Sequence, residues 1–366
     1  MARVRRIALI AAAATIAVGG IAAGCGDDSS SSSDTSGGGG SLSGEIAGAG
    51  ASSQAAAQEV WRAGFQEQNS GATVSYDPVG SGGGREQFVA GGIAFAGTDA
   101  AFADEELAGA SKRCGGTDNL VEIPVYISPI AVAYNLPSVE NLQLSPETLA
   151  KIMKGDITTW NDAAIAADNP GVDLPSTKIT VVSRSDESGT TENFQQYLKA
   201  AAPSVWTYEP DGNWPVKGGE SAQGTSGVVA AIGAGEGTIG YADESQVGDL
   251  GTASVKVGAN YVGPSAEAAA KILDESPRTT GTGQYVFTYD LKRDTTTEGI
   301  YPIVLTSYAA ACSSYSDANT AALVKGYFNY IISPEGQQAA SEQAGSAPLS
   351  DTQREQLQPA VDAIGS

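Results

Sequence analysis

Short runs of strand character alternate with helical patterns along most of this chain, and nothing else in it constrains the fold as tightly. "ATVSYDPVG" (72–80) reads as a strand that leaves into a Gly-rich turn, and "KITVVSRS" (178–185) as another, with Arg184 delivered at its end. "VEIPVYISPIAVAYNL" (121–136) and "YPIVLTSYAAA" (301–311) are rich in β-branched and aromatic residues and read as longer extended segments. In "SPETLAKIMKG" (145–155), Ser145 stands as N-cap, Pro146 as the first helical residue and Gly155 as the stop. "DANTAALVKGYFNYIIS" (317–333) reads as a long late helix. Such alternation is the signature of an α/β architecture. At 366 residues the chain also exceeds the size at which one core usually keeps growing, which predicts two lobes.

Composition narrows the chemistry. Acidic residues number 42 against 20 basic ones, a formal charge of −22, and nucleic acid is bound by the opposite balance. The chain has no histidine, which excludes His-based zinc sites and Ser-His or Cys-His catalysis. No metal-ligand cluster stands out.

The N-terminus reads as a targeting segment. "MARVRR" is a basic start, "IALIAAAATIAVGGIAA" an apolar core, and Gly24-Cys25 closes it. The ending resembles a bacterial lipobox, with Ala22 where Leu is commoner; residues 1–24 would then be removed and Cys25 lipidated. A single membrane-spanning anchor is the alternative, since about 18 apolar residues is near the minimum span. "GDDSSSSSDTSGGGGSLSG" continues as a flexible tether, placed at 25–44, so the globular part is expected outside the cytoplasmic membrane. With Cys25 set aside, Cys114 and Cys312 remain in an oxidising context and are expected to pair rather than stay as free thiols. In the chain-entropy model so long a loop gives at most about 5 kcal/mol.

Three segments share a local design that points to an anion. "GAGASSQAAAQEVWRAGF" puts Ser52 and Ser53 where a helix should begin, "GSGGGREQFVAG" does the same with Ser81, and "SDESGTTENFQQYL" with Ser188, Gly189 and Thr190. In the last, Phe194, Tyr197 and Leu198 mark the buried face by their spacing. A helix N-terminus presents unpaired N–H groups and partial positive charge. Taken singly, each start reads as ordinary capping. Together with Arg184 and the isolated acid of "GTDAAF", Asp99, they read as one site.

At these residues the sequence resembles the phosphate-binding protein of Pst-type ABC importers. "GAGASS" (48–53), "GSGGG" (80–84), "FAGTD" (95–99) and "RSDESGT" (184–190) follow in the family's order, with further similarity in "ITTWNDAAIAADNPG", "LPSTKITVVSRSD" and "GTIGYAD". The resemblance implies a type II periplasmic-binding-protein fold, α/β in class, with two lobes joined by hinge strands and the ligand in the cleft. Lobe 1 would span 45–126 and 302–366, lobe 2 127–301, with crossings in "VYISPIAVAYN" and "YPIVLTSYAAA" and the Cys114–Cys312 pair stapling the hinge region. It implies that Ser52, Ser53, Ser81, Ser188, Gly189 and Thr190 donate to phosphate, that Arg184 makes the charged contact, and that Asp99 is the sole carboxylate on the anion. Asp186 should pair with Arg184, since side chains two apart on an extended segment share a face. Where the family more often has Thr-Phe, this chain has Ser52-Ser53, so a hydroxyl survives and an aromatic wall is lost. The implied partners are inorganic phosphate, the permease subunits and ATPase of an importer, and the membrane through a lipid anchor. The expected protein is a monomer without cofactor or metal.

Phosphate keeps a proton near neutral pH and sulfate does not, so a carboxylate such as Asp99 can accept from the first and repel the second. Rival readings are a binder of another oxyanion (sulfate or molybdate), a secreted phosphatase using the Ser-Gly motif, and a structural lipoprotein or adhesin. Ser188 has no evident activating partner, which weighs against the phosphatase.

Overall fold

The computed structural model describes residues 42–102, 104–279 and 283–365. The leader, Cys25 and the tether up to residue 41 lie outside the described residues. The chain begins with β1 (Ser43–Gly50), α1 (Ala55–Gln68), β2 (Gly71–Asp77), α2 (Ser81–Val89), β3 (Phe95–Thr98) and α3 (Asp104–Arg113). The long strand β4 (Leu120–Asn135) follows, then β5 (Gln143–Leu144), α4 (Pro146–Lys154), α5 (Ala163–Asp168), β6 (Thr180–Arg184), α6 (Gly189–Ala201), β7 (Glu220–Ala222), α7 (Gly224–Ala234) and β8 (Thr238–Asp243). Short pieces β9 (Gly251–Thr252), β10 (Ser254–Val257), β11 (Asn260–Val262), α8 (Ala266–Ala270) and β12 (Tyr285–Val286) lead to β13 (Val304–Cys312). Helices α9 (Ala318–Ile332), α10 (Pro334–Ala344) and α11 (Asp351–Asp362) close the chain.

One sheet runs β2-β1-β3-β13-β4-β8-β6-β7. Strand β1 is parallel to β2 and β3, and β6 is parallel to β7 and β8, as strand–helix–strand units require. Strand β4 links the two sets. From Leu120 to Pro129 it pairs antiparallel with β13, and from Ile130 to Asn135 with β8. It is buried along nearly its whole length, which explains its unbroken apolar run. Two prolines interrupt this central strand, where a missing N–H should disturb pairing. Each falls at an irregularity. Pro124 lies at a register shift opposite Ser307/Tyr308, and Pro129 is the last residue paired with β13 before β4 changes partner.

Local reading and structure agree in the punctuation of α4. The Ser145 side chain accepts from Thr148 N, Pro146 opens the helix, and Gly155 ends it at φ 84°. In α6, Phe194, Tyr197 and Leu198 are fully buried. Three differences matter. Helix α1 begins at Ala55 with Gln54 as N-cap, so Ser52 and Ser53 precede the cap and their hydroxyls are used elsewhere. Ser43 and Gly44, expected in the tether, are already paired with Gly71 and Ala72 in the sheet. The Cys114–Cys312 disulfide is formed, at one end of β13 rather than beside the partner exchange of β4. Cys312 sits opposite Leu120 at the far end of β13, about 30 Å of strand from the Pro129/Ile130 exchange, and ties that end to the turn after α3.

Candidate functional site

The Gly/Ser-rich helix starts converge. A Cβ placed on Gly189 would stand 2.7 Å from the Asp99 Cβ and 2.8 Å from Ser81 Oγ, which brings the starts of α6 and α2 against the end of β3. Ser81 Oγ accepts from Asp99 N at 3.1 Å. Ser188 is the N-cap of α6, its side chain accepting from Thr191 N at 3.2 Å. The hydroxyl keeps its own proton to donate. Tyr241 braces this corner from β8, sharing a 2.8 Å hydrogen bond with Thr191 Oγ1 and accepting from Arg184 N at 3.3 Å.

The cation of the site arrives on β6. Arg184 is 5% exposed and donates to Asp186 through Nε (2.8 Å) and Nη2 (2.5 Å). This fork fixes the plane of the guanidinium and leaves Nη1 outside any hydrogen bond among the described residues. Asp186 Oδ1 also accepts from Gly224 N at 3.0 Å. Burial raises the Asp186 carboxyl, but the Arg184 hydrogen bond and charge together with the Gly224 N–H outweigh it and hold the group below its ordinary value. Gly80 makes the closeness possible. Its φ of 100° is a left-handed value, and a Cβ there would lie 2.5 Å from Asp186 Oδ2.

Asp99, 2% exposed, is surrounded by neutral donors. Oδ1 accepts from Ser53 Oγ and Ser307 Oγ, both at 2.6 Å, and Oδ2 from Thr190 Oγ1 at 2.9 Å. The hydroxyls of Ser53 and Thr190, expected to face an anion, are turned onto this carboxylate. Its backbone carbonyl accepts from Asn193 Nδ2 at 2.6 Å. Among the described residues, no N–H of the turn that follows donates to the Asp99 side chain. Ser52 reaches the start of α7, where Thr225 N donates to its Oγ at 3.1 Å and the two hydroxyls meet at 3.1 Å. Across the same gap Arg85 of α2 pairs with Glu187 at 2.8 Å and Gln246 donates to the carbonyls of Ser52 and Ser53.

All of the sequence-derived cluster is thus brought together: Ser52, Ser53, Ser81, Asp99, Arg184, Ser188, Gly189 and Thr190, with Asp186 against Arg184. Four residues escaped the reading. Thr225 lies in "QGTSG", a fourth start of the same Gly/Ser design. Ser307 is a polar residue in a fully buried strand, at the register shift that sets its direction. Asn193 and Arg85 look in sequence like ordinary helix-surface residues. Two further acids are buried nearby. Asp243, at the end of β8, is pushed up to about 7 by burial, which hydrogen bonds from Ser245, Ser128 and Tyr126 counter. Glu122 is pushed up to about 8, again by burial, against a backbone hydrogen bond from Phe102, and its Oε1 has no partner among the described residues. Among the described residues no cluster of three or more potential ligands is arranged for a metal ion.

A ring of helix starts, one oriented guanidinium and one carboxylate held by hydroxyls can accommodate a small oxyanion that carries a proton. Known proteins share the architecture. A family model described as a PBP superfamily domain matches residues 31–335. Among solved structures, a high-affinity periplasmic phosphate-binding protein (PfluDING), bound with phosphate, gives a TM-score of 0.70 at 20% identity, covering 88% of this chain and 99% of the other. A phosphate-binding protein from Stenotrophomonas maltophilia gives 0.69 at 18% identity, covering 87% and 94%. The fold is therefore that of a type II periplasmic binding protein, two α/β lobes joined by hinge strands. Curated relatives narrow the class. Phosphate-binding protein PstS 3 of Mycobacterium leprae is 34% identical over 372 residues, 97% of this chain and 98% of the relative. The protein of the same name from Mycobacterium tuberculosis is 36% identical over 310 residues, covering 82% and 81%. The chain belongs to the PstS family of phosphate-binding proteins.

Proposed function

We propose that this chain captures inorganic phosphate outside the cytoplasmic membrane and hands it to the permease subunits and ATPase of an ABC importer. The observation that carries the reading is Asp99, a buried carboxylate met, among the described residues, by three hydroxyls and set among helix N-termini and Arg184. A hydroxyl is a rotor, so Ser53 and Thr190 can turn from Asp99 to an arriving anion while the proton of that anion takes their place at the carboxylate. Hydrogen phosphate brings such a proton. Sulfate brings only charge, and Asp99 repels it. Ser52, Ser81, Ser188 and the N–H groups of Gly189 and Thr190 complete the donor set, and Arg184, oriented by Asp186, supplies the formal positive charge.

This reading divides the chain within β4, three residues before its partner exchange, and just before β13, giving lobes of 45–126 with 302–366 and of 127–301. The Arg85–Glu187, Ser52–Thr225 and Asn193–Asp99 contacts then bridge the two across the ligand. The protein binds rather than transforms its ligand: Ser188 serves as the N-cap of α6 through Thr191 N, and the sequence holds no histidine to activate it. A monomer held by lipid at Cys25 completes the picture. Among the described residues no helix is long and apolar enough to cross a membrane. Calorimetry of the purified full chain with phosphate, arsenate and sulfate at one ionic strength tests the proposal. Phosphate and arsenate should bind and sulfate should not, whereas tighter binding of sulfate than of phosphate would sink it.

A further inference from the structure

We propose that Arg293 is a second cation of the anion site, whose buried charge favours the ligand in addition to orienting the Asn193 amide that holds two of the site's backbone segments; the inference rests on the phosphate reading above. Arg293 lies between β12 and β13 and is 4% exposed. Its Nη1 donates to the carbonyl oxygens of Val304 (3.1 Å) and Pro302 (3.4 Å), its Nε to Gln196 Oε1 (3.3 Å), and its Nη2 to Asn193 Oδ1. The last bond decides which way the Asn193 amide faces, because a guanidinium only donates. Asn193 Nδ2 is thereby aimed at two carbonyls, that of Asp99 at 2.6 Å and that of Gly189 at 2.8 Å. One belongs to the residue carrying the selectivity carboxylate, the other to the first residue of α6.

The buried arginines differ in what answers their charge. Arg184 has Asp186 and Arg85 has Glu106 and Glu187, each within an ion-pair distance. Among the described residues Arg293 has no such partner and meets only neutral oxygens. Burying a guanidinium in this way is costly unless negative charge lies near. The charges facing it are Glu192 and Asp290, with the Tyr308 phenol beside them, and burial raises the Glu192 carboxyl above its ordinary value. Burial likewise lowers Arg293 to about 10, which leaves it charged at neutral pH. A cavity of about 280 Å³ is lined by Arg293, Glu192 and Tyr308 together with Asn193 and Asp99. Thr306 lines it with a buried hydroxyl that has no partner. A fixed positive charge bonded to Asn193 and lining the same cavity as Asp99 favours an anion there, in a chain whose net charge is −22.

The test compares three full-length proteins by phosphate calorimetry, each checked for folding by thermal melt. Arg293→Gln removes the charge and keeps a donor toward Asn193; it should weaken phosphate by at least about tenfold. Arg293→Lys keeps the charge without the fork and should recover to within about threefold of wild type. A residue that only braces the loop would leave Lys as weak as Gln, and that result overturns the proposal, as does a folded Gln variant with wild-type affinity. Should Arg293→Gln fail to fold, Asn193→Asp decides. It spends the Arg293 charge on a new carboxylate and removes the donor to Asp99 and Gly189, so a folded variant must lose affinity, and unchanged binding overturns the inference. Wild type that binds no phosphate would instead remove the phosphate reading, and this one with it.

Discussion

Asp186 and Asp99 stand at the same cluster of helix starts and are held on opposite terms. Asp186 is forked onto Arg184 and takes a further backbone N–H, so its charge is answered inside the protein and its carboxyl lies low. Asp99 has three hydroxyl hydrogens and no cation among its hydrogen-bond partners. The first arrangement is rigid, because an ion pair with two parallel bonds fixes both planes. The second is exchangeable, because each hydroxyl can rotate to another acceptor. On the proposed reading, one acid aims a cation and the other is left for the ligand to satisfy. Affinity should depend on the first corner and selectivity on the second, and substitutions at each should separate the two quantities.

The largest effect is expected at Asp99. Sites that reject a ligand by leaving a buried polar group unmatched discriminate by factors on the order of 10⁴. Asp99→Asn keeps the shape and can turn an N–H toward the anion. The ratio of phosphate to sulfate affinity should fall by at least about a hundredfold, mostly through a gain by sulfate. Equal rejection of sulfate by folded wild type and variant, titrated at one ionic strength, would remove Asp99 from the selectivity role.

Arg184→Ala should come next and should differ in kind. A hydrogen bond to a charged group contributes about 1.5–3 kcal/mol, so phosphate should weaken by roughly ten- to a hundredfold. The variant also strands Asp186, whose carboxyl burial alone would then raise. Because this corner carries no proton discrimination, phosphate and any residual sulfate binding should drop together. A variant that loses selectivity but not affinity would invert the comparison.

How much of this was legible depends on the range of the interactions. The helix starts at Ser81 and Ser188 and the strand ending at Arg184 are local patterns, and the sequence shows them. The Arg184–Asp186 pair is local as well, two residues apart on an extended segment. Ser307 is not, since it meets Asp99 across 208 residues and its direction is set by an irregular register beside Pro124. Arg293 reaches Asn193 across 100 residues from a segment without regular pattern, where an arginine reads as solvated surface. The disulfide partners could be counted from sequence, but their place at the outer end of β13 follows from pairing that only the fold reveals. The fourth helix start, at Thr225, was readable from "QGTSG" and its Ser52 partner was not.

The smallest effect, and the one that probes the rigid corner alone, is expected from Asp186→Asn. The substitution removes one arm of the ion pair but also withdraws a negative charge from beside the anion, and the two consequences oppose each other. Phosphate affinity should fall by only about three- to tenfold, with selectivity unchanged. Stability supplies an independent reading. The folded-state carboxyl of Asp186 is depressed, so its contribution is present above the unfolded value of about 3.9 and is lost as pH falls through the folded one. Denaturant melts of wild type and Asp186→Asn should therefore differ most at neutral pH, and the gap should close as pH drops below about 4. A gap that stays constant from pH 7 to 3 would mean that the Asp186 charge is not what holds Arg184, and that the guanidinium is aimed by packing instead.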